Sequence, residues 1–218
     1  MVTLSSLQPL VVLGSRIFAE EVADLVDDCP EYEVAAFGEN WERARCAEPL
    51  LGRPVIWIDD LAPLAATHLA VCAIGTTHRV RFIEQAEALG FRFATVTHPT
   101  ARVSRTSTLD PGTIVSAGVM VAAHTRIGRH VIVNRGSLVG HHTTIGDCVT
   151  ISPGANIAGR VTIGDRTYVG MGAIVLDSLA IGRSAVIAAG SVVTHDVPDH
   201  VQVMGVPARV TREQVEGR

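Results

Sequence analysis

Aromatic residues make up only 4% of the 218-residue chain, so its core has to be built from small aliphatic side chains. Its four cysteines, Cys29, Cys46, Cys72 and Cys148, form no C-x-x-C pair. That scatter points to reduced thiols in a cytoplasmic protein and away from a disulfide frame or a zinc site. Charged residues account for 18% and leave a net charge of -4. A nucleic-acid surface, whose footprint is a basic excess, is therefore not suggested. No apolar run reaches the ~18 residues that a membrane-spanning helix needs, so no membrane partner is expected. The opening "MVTLSSLQPLVVLGS" lacks the basic region and cleavage site of a secretory signal, and a cytoplasmic location follows as the expectation.

What the chain does have is two patterns in succession. From Leu10 to about Thr97, short apolar runs such as "PLVVLGS", "YEVAAFGEN" and "LAVCAIG" alternate with helical segments such as "RIFAEEVADLVDD" and "THRVRFIEQAEALG". Strand and helix alternating in this way imply a small parallel α/β sheet, Rossmann-like, over residues 1–98. Its strand ends carry Gly14 and Ser15, Glu39 and Asn40, and Gly75 to Thr77. In a doubly wound sheet those ends share the edge where ligands bind, which makes Gly14, Ser15, Glu39 and Asn40 candidate substrate contacts.

Past "THPTARVS" a period of six takes over. Every sixth residue from Val103 to Val193 is aliphatic, without an insertion. The position after each is small in most cases (Gly128, Gly140, Gly146, Gly164), as expected where a chain turns a corner. The position four on is mostly Thr, Ser, Ala or Val. A period of six predicts a parallel β-helix over residues 99–218, with three faces per coil.

With three hexads per coil, residues 18 apart stack in columns. His141 then shares a column with Arg105, Ala123, Gly159 and Asp177, and its small neighbours leave space around the imidazole. His142 stacks between His124 and Arg160. That concentration of positive or titratable groups reads as a contact for an anionic group of the substrate. Adjacent residues of a strand or corner point in different directions, so the two imidazoles are not expected to act together.

The hexads, the preceding α/β segment and the "GVPARV" close at residues 205–210 resemble the hexapeptide-repeat sugar acetyltransferases of the sialic acid O-acetyltransferase and bacillosamine N-acetyltransferase group. The resemblance implies a left-handed β-helix and a homotrimer with active sites shared between subunits. It also implies an acetyl group moved from acetyl-CoA to an amino or hydroxyl group of a nucleotide-linked sugar. The family histidine in "LVGHHTTIG" corresponds to His141, which would be the general base, and a family asparagine near the site corresponds to Asn134. Gly159 matches the glycine beside the thioester, while Met171 and Ala189 match positions lining the pantetheine groove. No metal is implied.

Three departures stand out. The family follows its histidine with an acidic residue where this chain has His142. Some members carry a second histidine where this chain has Thr150. The glycine-rich first turn is reduced to "LGSRIFAEE", and the acidic pair after the second strand is Glu39 and Asn40. Two other readings remain at the level of sequence: a metal-dependent hydratase resembling β-helical carbonic anhydrases, with His124 and His142 as ligands, and a non-catalytic scaffold, since repeat folds often serve as surfaces.

Overall fold

The computed structural model describes residues 7–218. Residues 1–6, which carry part of the N-terminal stretch read for a leader and the start of the expected first domain, lie outside the described residues. Strands β1 (Gln8–Leu13), β2 (Tyr32–Glu39), β3 (Val55–Trp57), β4 (Leu69–Cys72) and β5 (Arg92–Phe93), with helices α1 (Ile17–Asp27) and α2 (Val80–Ala88), build a five-stranded parallel sheet in the order β3-β2-β1-β4-β5. Central β1 is apolar on both faces and buried from Leu10 to Leu13, as a strand covered from two sides must be. Helix α1 buries Ala19, Val22, Ala23 and Val26, a three-and-four spacing that gives it one apolar face.

At Val96 the chain enters the second body. Val96–Thr97 pairs with Ile114–Val115, and each later rung pairs with the one 18 residues on: Met120 with Leu138, Ile132 with Thr150, Thr144 with Thr162. The product is a three-sided parallel β-helix. We call the side containing rungs 114–115, 132–133, 150–151 and 168–169 the first, that containing 120–121, 138–139 and 156–157 the second, and that containing 126–127, 144–145 and 162–163 the third. The last coil is closed by an antiparallel hairpin, Val201–Gly205 with Ala208–Glu213.

The aliphatic ladder fills the interior together with the residues four positions on, including Thr125, Ser137, Thr143 and Thr167. Their hydroxyls donate to the carbonyls of Gly140, Ser152, Ala158 and Gly182 respectively, so each of these buried groups has the partner that burial demands. The corners differ from the sequence expectation. Left-handed backbone falls two residues after the small position, at His124, His142, Arg160 and Ser178 on the edge between the second and third sides. The glycine at the small position answers to packing between coils instead: a Cβ on Gly140 would lie 2.4 Å from the carbonyl carbon of Ala158.

The α/β domain docks on the first side. Ala19, Val22 and Val26 of α1 share a core with Ile114 and Ile132, whose side chains point out of the β-helix. Beside them Arg79 is 1% exposed. Its Nε donates to His130 O, its Nη1 to Thr76 O and Thr150 Oγ1, and its Nη2 to His130 O and Val149 O. One guanidinium thus binds α/β domain and β-helix together, with its five donor hydrogens matched by five bonds. Burial pushes its pKa down, opposed by the nearby Cys148 and Cys72 thiols.

His130 sits at the same junction, 5% exposed, edge-on to the Phe93 ring at 4.5 Å and with neither ring nitrogen hydrogen-bonded among the described residues. Burial, reinforced by Arg129, pushes its pKa down to about 4. At neutral pH it is uncharged, so its 4.0 Å approach to Glu87 is not an ion pair. An unfolded histidine titrates near 6.5, so between pH ~6.5 and ~4 the unfolded chain binds a proton that the folded chain refuses. His130 therefore withdraws stability as pH falls through that window, on the order of 3 kcal/mol in all. Urea denaturation at pH 7.5 and 4.5 should show a smaller acid loss for His130→Leu than for the wild type. Equal losses would remove His130 from the acid response.

Candidate active site

His141 and His142 occupy the edge between the second and third sides, opposite the docked α/β domain. His142 adopts φ 56°, which folds the chain back on itself and brings two adjacent rings together. Their Nδ1 atoms are 3.1 Å apart, with ring centroids 5.3 Å apart and planes nearly perpendicular. The expectation that neighbouring side chains diverge holds for extended strand and fails at this left-handed corner. His142 is also tilted against His124 of the preceding coil, centroids 4.8 Å apart.

The His141 ring fills the space one coil on, above Gly159. A Cβ there would lie 2.7 Å from Cε1 and Nε2 of His141, so glycine is needed simply to seat the imidazole. Arg160 does not join His142 as a free cation. Its Nη2 donates to Asp177 at 2.7 Å and its Nε to Ser178 Oγ at 2.9 Å. The run of three positive groups read from the column is in fact two imidazoles followed by an ion pair.

The remaining edges divide the other candidates. Asn134 is buried in the corner between the first and second sides, where its Oδ1 accepts the Arg135 N–H. Met171 and Ala189 stack on that same edge, both exposed. Gly159 is therefore on one edge of the chain with His141, while Met171 and Ala189 are on another with Asn134. The second side, between them, exposes Met120, Leu138 and Ile174.

Gly14, Ser15, Glu39 and Asn40 come together at the sheet edge, lining a cavity of about 280 Å³ with Phe18, Trp41 and Phe82. Gly14 has φ 129°, a conformation that suits glycine. Ser15 Oγ donates to Glu39, and Glu39 also accepts the N–H groups of Trp41 and Glu42. Burial alone would push the Glu39 carboxyl up, but these hydrogen bonds, led by that of Ser15, outweigh it and lower its pKa. Arg45 donates to Ser15 Oγ at 2.9 Å. Asn40 is held on α2 through Gln85 at 2.7 Å. An adjoining cavity of about 510 Å³ adds His78 and Arg81. Sequence reading passed over Trp41, which is 83% exposed and borders both cavities. An aromatic placed directly after a candidate strand end, in a chain this poor in aromatics, was the available signal. Thr150 lies on the docked first side, where it accepts from Arg79 and donates to Gly75 O.

The family described as bacterial transferase hexapeptide (six repeats) matches residues 142–177. The whole chain is similar to a histidine-to-asparagine variant of perosamine N-acetyltransferase from Caulobacter crescentus, crystallised with CoA and GDP-perosamine. Identity is 32% over 94% of this chain and 97% of that one, with a TM-score of 0.87. The chain belongs to the hexapeptide-repeat sugar acetyltransferases. The acetyltransferase domain of PglB from Neisseria gonorrhoeae is 29% identical, covering 94% and 100% of the two chains at a TM-score of 0.86. WeeI from Acinetobacter baumannii is 28% identical, covering 93% and 99% at 0.84. No curated protein sequence matches the chain.

For a hexapeptide-repeat acetyltransferase, the edge carrying His141 offers the chemistry required: an imidazole on a rigid coil, exposed and seated on a glycine, can take a proton from an attacking nucleophile. Among the described residues no group of three or more His, Cys, Asp or Glu side chains is arranged to hold a metal, and His124 and His142 stack on each other. No helix of the described residues is long and apolar enough to cross a membrane.

Proposed function

We propose that this chain moves the acetyl group of acetyl-CoA to an amino group, or alternatively a hydroxyl group, of a nucleotide-linked sugar. The observation that carries this reading is the full-length likeness, at 32% identity, to a perosamine N-acetyltransferase whose crystal holds CoA and GDP-perosamine. The β-helix is read as left-handed, as in that family, and residues 1–98 as a Rossmann-like domain that holds the nucleotide-sugar; the strand order β3-β2-β1-β4-β5 supports the second point. Residues 99–218 would hold acetyl-CoA. Gly14, Ser15, Glu39 and Asn40 shape the acceptor cavity, with Trp41 as an exposed ring beside it. The acceptor nitrogen forms its bond to the thioester carbonyl carbon while its proton passes to His141. The C–S bond then breaks, and the proton is available to the departing CoA thiolate. The Gly159 N–H is read as the donor to the oxyanion, a reading supported by the approach of Gly159 to the His141 ring.

Within one chain the acceptor cavity belongs to the domain docked on the first side, whereas His141 is on the opposite edge. Gly159 and the Met171–Ala189 pair are likewise on different edges. A complete site therefore needs surfaces of two subunits, which favours a homotrimer packed through the apolar second side, with Asn134 contributing from the neighbouring chain. The cysteine pattern favours the cytoplasm.

Free-thiol release from acetyl-CoA, followed with GDP-perosamine and with a panel of GDP- and UDP-linked amino sugars, tests the reaction. Acceptor-dependent release is expected, from a protein that sediments as a trimer. Absence of release with every acceptor would overturn the reaction, and a fully active monomer would overturn the shared site.

A further inference from the structure

We propose that His142 is the positioning residue for His141 and takes the place of the acidic side chain that the family resemblance leads one to expect. The proposal rests on the acetyltransferase reading above, with His141 as base. Two nitrogens 3.1 Å apart form a hydrogen bond only if one carries the proton and the other a lone pair. With the proton on His141 Nδ1 and the lone pair on His142 Nδ1, His141 Nε2 is left with its lone pair free. That atom lies with Cε1 over Gly159. The reverse arrangement would put the proton on Nε2 and leave no base there.

When Nε2 accepts the acceptor's proton, His141 becomes an imidazolium whose Nδ1–H donates to a neutral nitrogen, a charge-assisted bond. His142 neither gains nor loses a proton in the cycle; it fixes the tautomer and the orientation. Its own ring is steadied by the His124 ring at 4.8 Å. The groups facing it are His124 on the coil before and the Arg160–Asp177 pair on the coil after. Asp177 is committed to Arg160, so no carboxylate competes for His141 Nδ1 among the contacts described.

A neutral acceptor and a carboxylate have different consequences. A carboxylate at position 142 would stabilise the imidazolium more strongly and raise the pH at which His141 becomes protonated. His142→Gly suits the left-handed corner and removes the acceptor, and His142→Asp, also tolerated there, supplies an anionic one. With acetyl-CoA and GDP-perosamine, His142→Gly should lower kcat roughly tenfold, the scale on which a partner that orients an imidazole acts, with both KM values within about twofold. His142→Asp should recover most of the kcat and move the acid limb of kcat/KM to higher pH by roughly one unit. An unchanged kcat in His142→Gly, or a rise confined to the acceptor KM, would overturn the proposal and return His142 to a substrate contact.

A second measurement does not depend on turnover. Nitrogen-15 spectra of the histidine rings at pH 8 should show His141 protonated at Nδ1 in the wild type and mainly at Nε2 in His142→Gly. Wild-type His141 protonated at Nε2 would overturn the proposal even in an active enzyme. The expected tautomer in a protein that releases no thiol would overturn the acetyltransferase reading and leave the pairing intact.

Discussion

His141→Ala is expected to bind acetyl-CoA as the wild type does and to turn over roughly 10² to 10⁴ times more slowly, the usual contribution of a positioned general base. The effect should appear in kcat, because the side chain that is removed faces an open edge and carries none of the coil's structure. The backbone around it is held independently: His141 O accepts the Arg160 N–H and His142 N donates to Ala123 O. Folding stability should therefore stay close to wild type, and titration calorimetry with acetyl-CoA alone serves as the control. Activity within a few-fold of wild type would remove His141 from the proton transfer.

Arg79→Met should destabilise the fold by about 3–5 kcal/mol, far more than the loss of any solvent-facing ion pair on the same chain. Methionine approximates the length of the side chain but supplies no donors. The His130 carbonyl, which accepts both Nε and Nη2, would remain buried without its partner, while those of Thr76 and Val149 would lose the guanidinium and keep only the backbone N–H groups of Arg79 and Ile132. Arg79→Lys keeps the charge but has only three donors on a single nitrogen, so an intermediate loss is expected. Urea midpoints of the three proteins provide the comparison, and a loss below about 1 kcal/mol for Arg79→Met would show that water replaces the guanidinium.

The architecture was legible in the sequence wherever one residue type repeats for one reason. The aliphatic position must fill a closed interior, and so Val121, Ile127 and Val133 predict their own burial and the 18-residue pairing that joins Met120 to Leu138. The corners were less legible because two requirements act within three residues. Gly140 is small because Ala158 leaves it no room, while the left-handed turn falls on His142, a residue type enriched in that conformation but standing at a position where the later coils carry Arg160 and Ser178. The pairing of His141 with His142 was invisible for the same reason, since it exists only once that φ is known. Arg79 carried no signal either. It stands at the start of a helical pattern, where an arginine reads as a solvated charge, and only the docked β-helix supplies the carbonyls that enclose it.

The uninterrupted coil also makes the molecule a ruler. Each coil adds one rung to every side, at roughly 4.8 Å, so the height of any side chain along the axis is fixed by counting residues. Arg79 grips the rungs around Val149 and Thr150, and His141 lies half a coil earlier, so the α/β sheet and His141 are levelled against the same stretch of the prism. A duplicated 18-residue coil spliced after Ile163 would leave that level in place and carry the chain's end, whose Arg218 bonds Thr77, one rung away. The same insert between His142 and Val149 would part the His130 and Val149 carbonyls that Arg79 spans, leaving a β-helix that folds in register and an α/β sheet that has lost one of its two levels of anchorage.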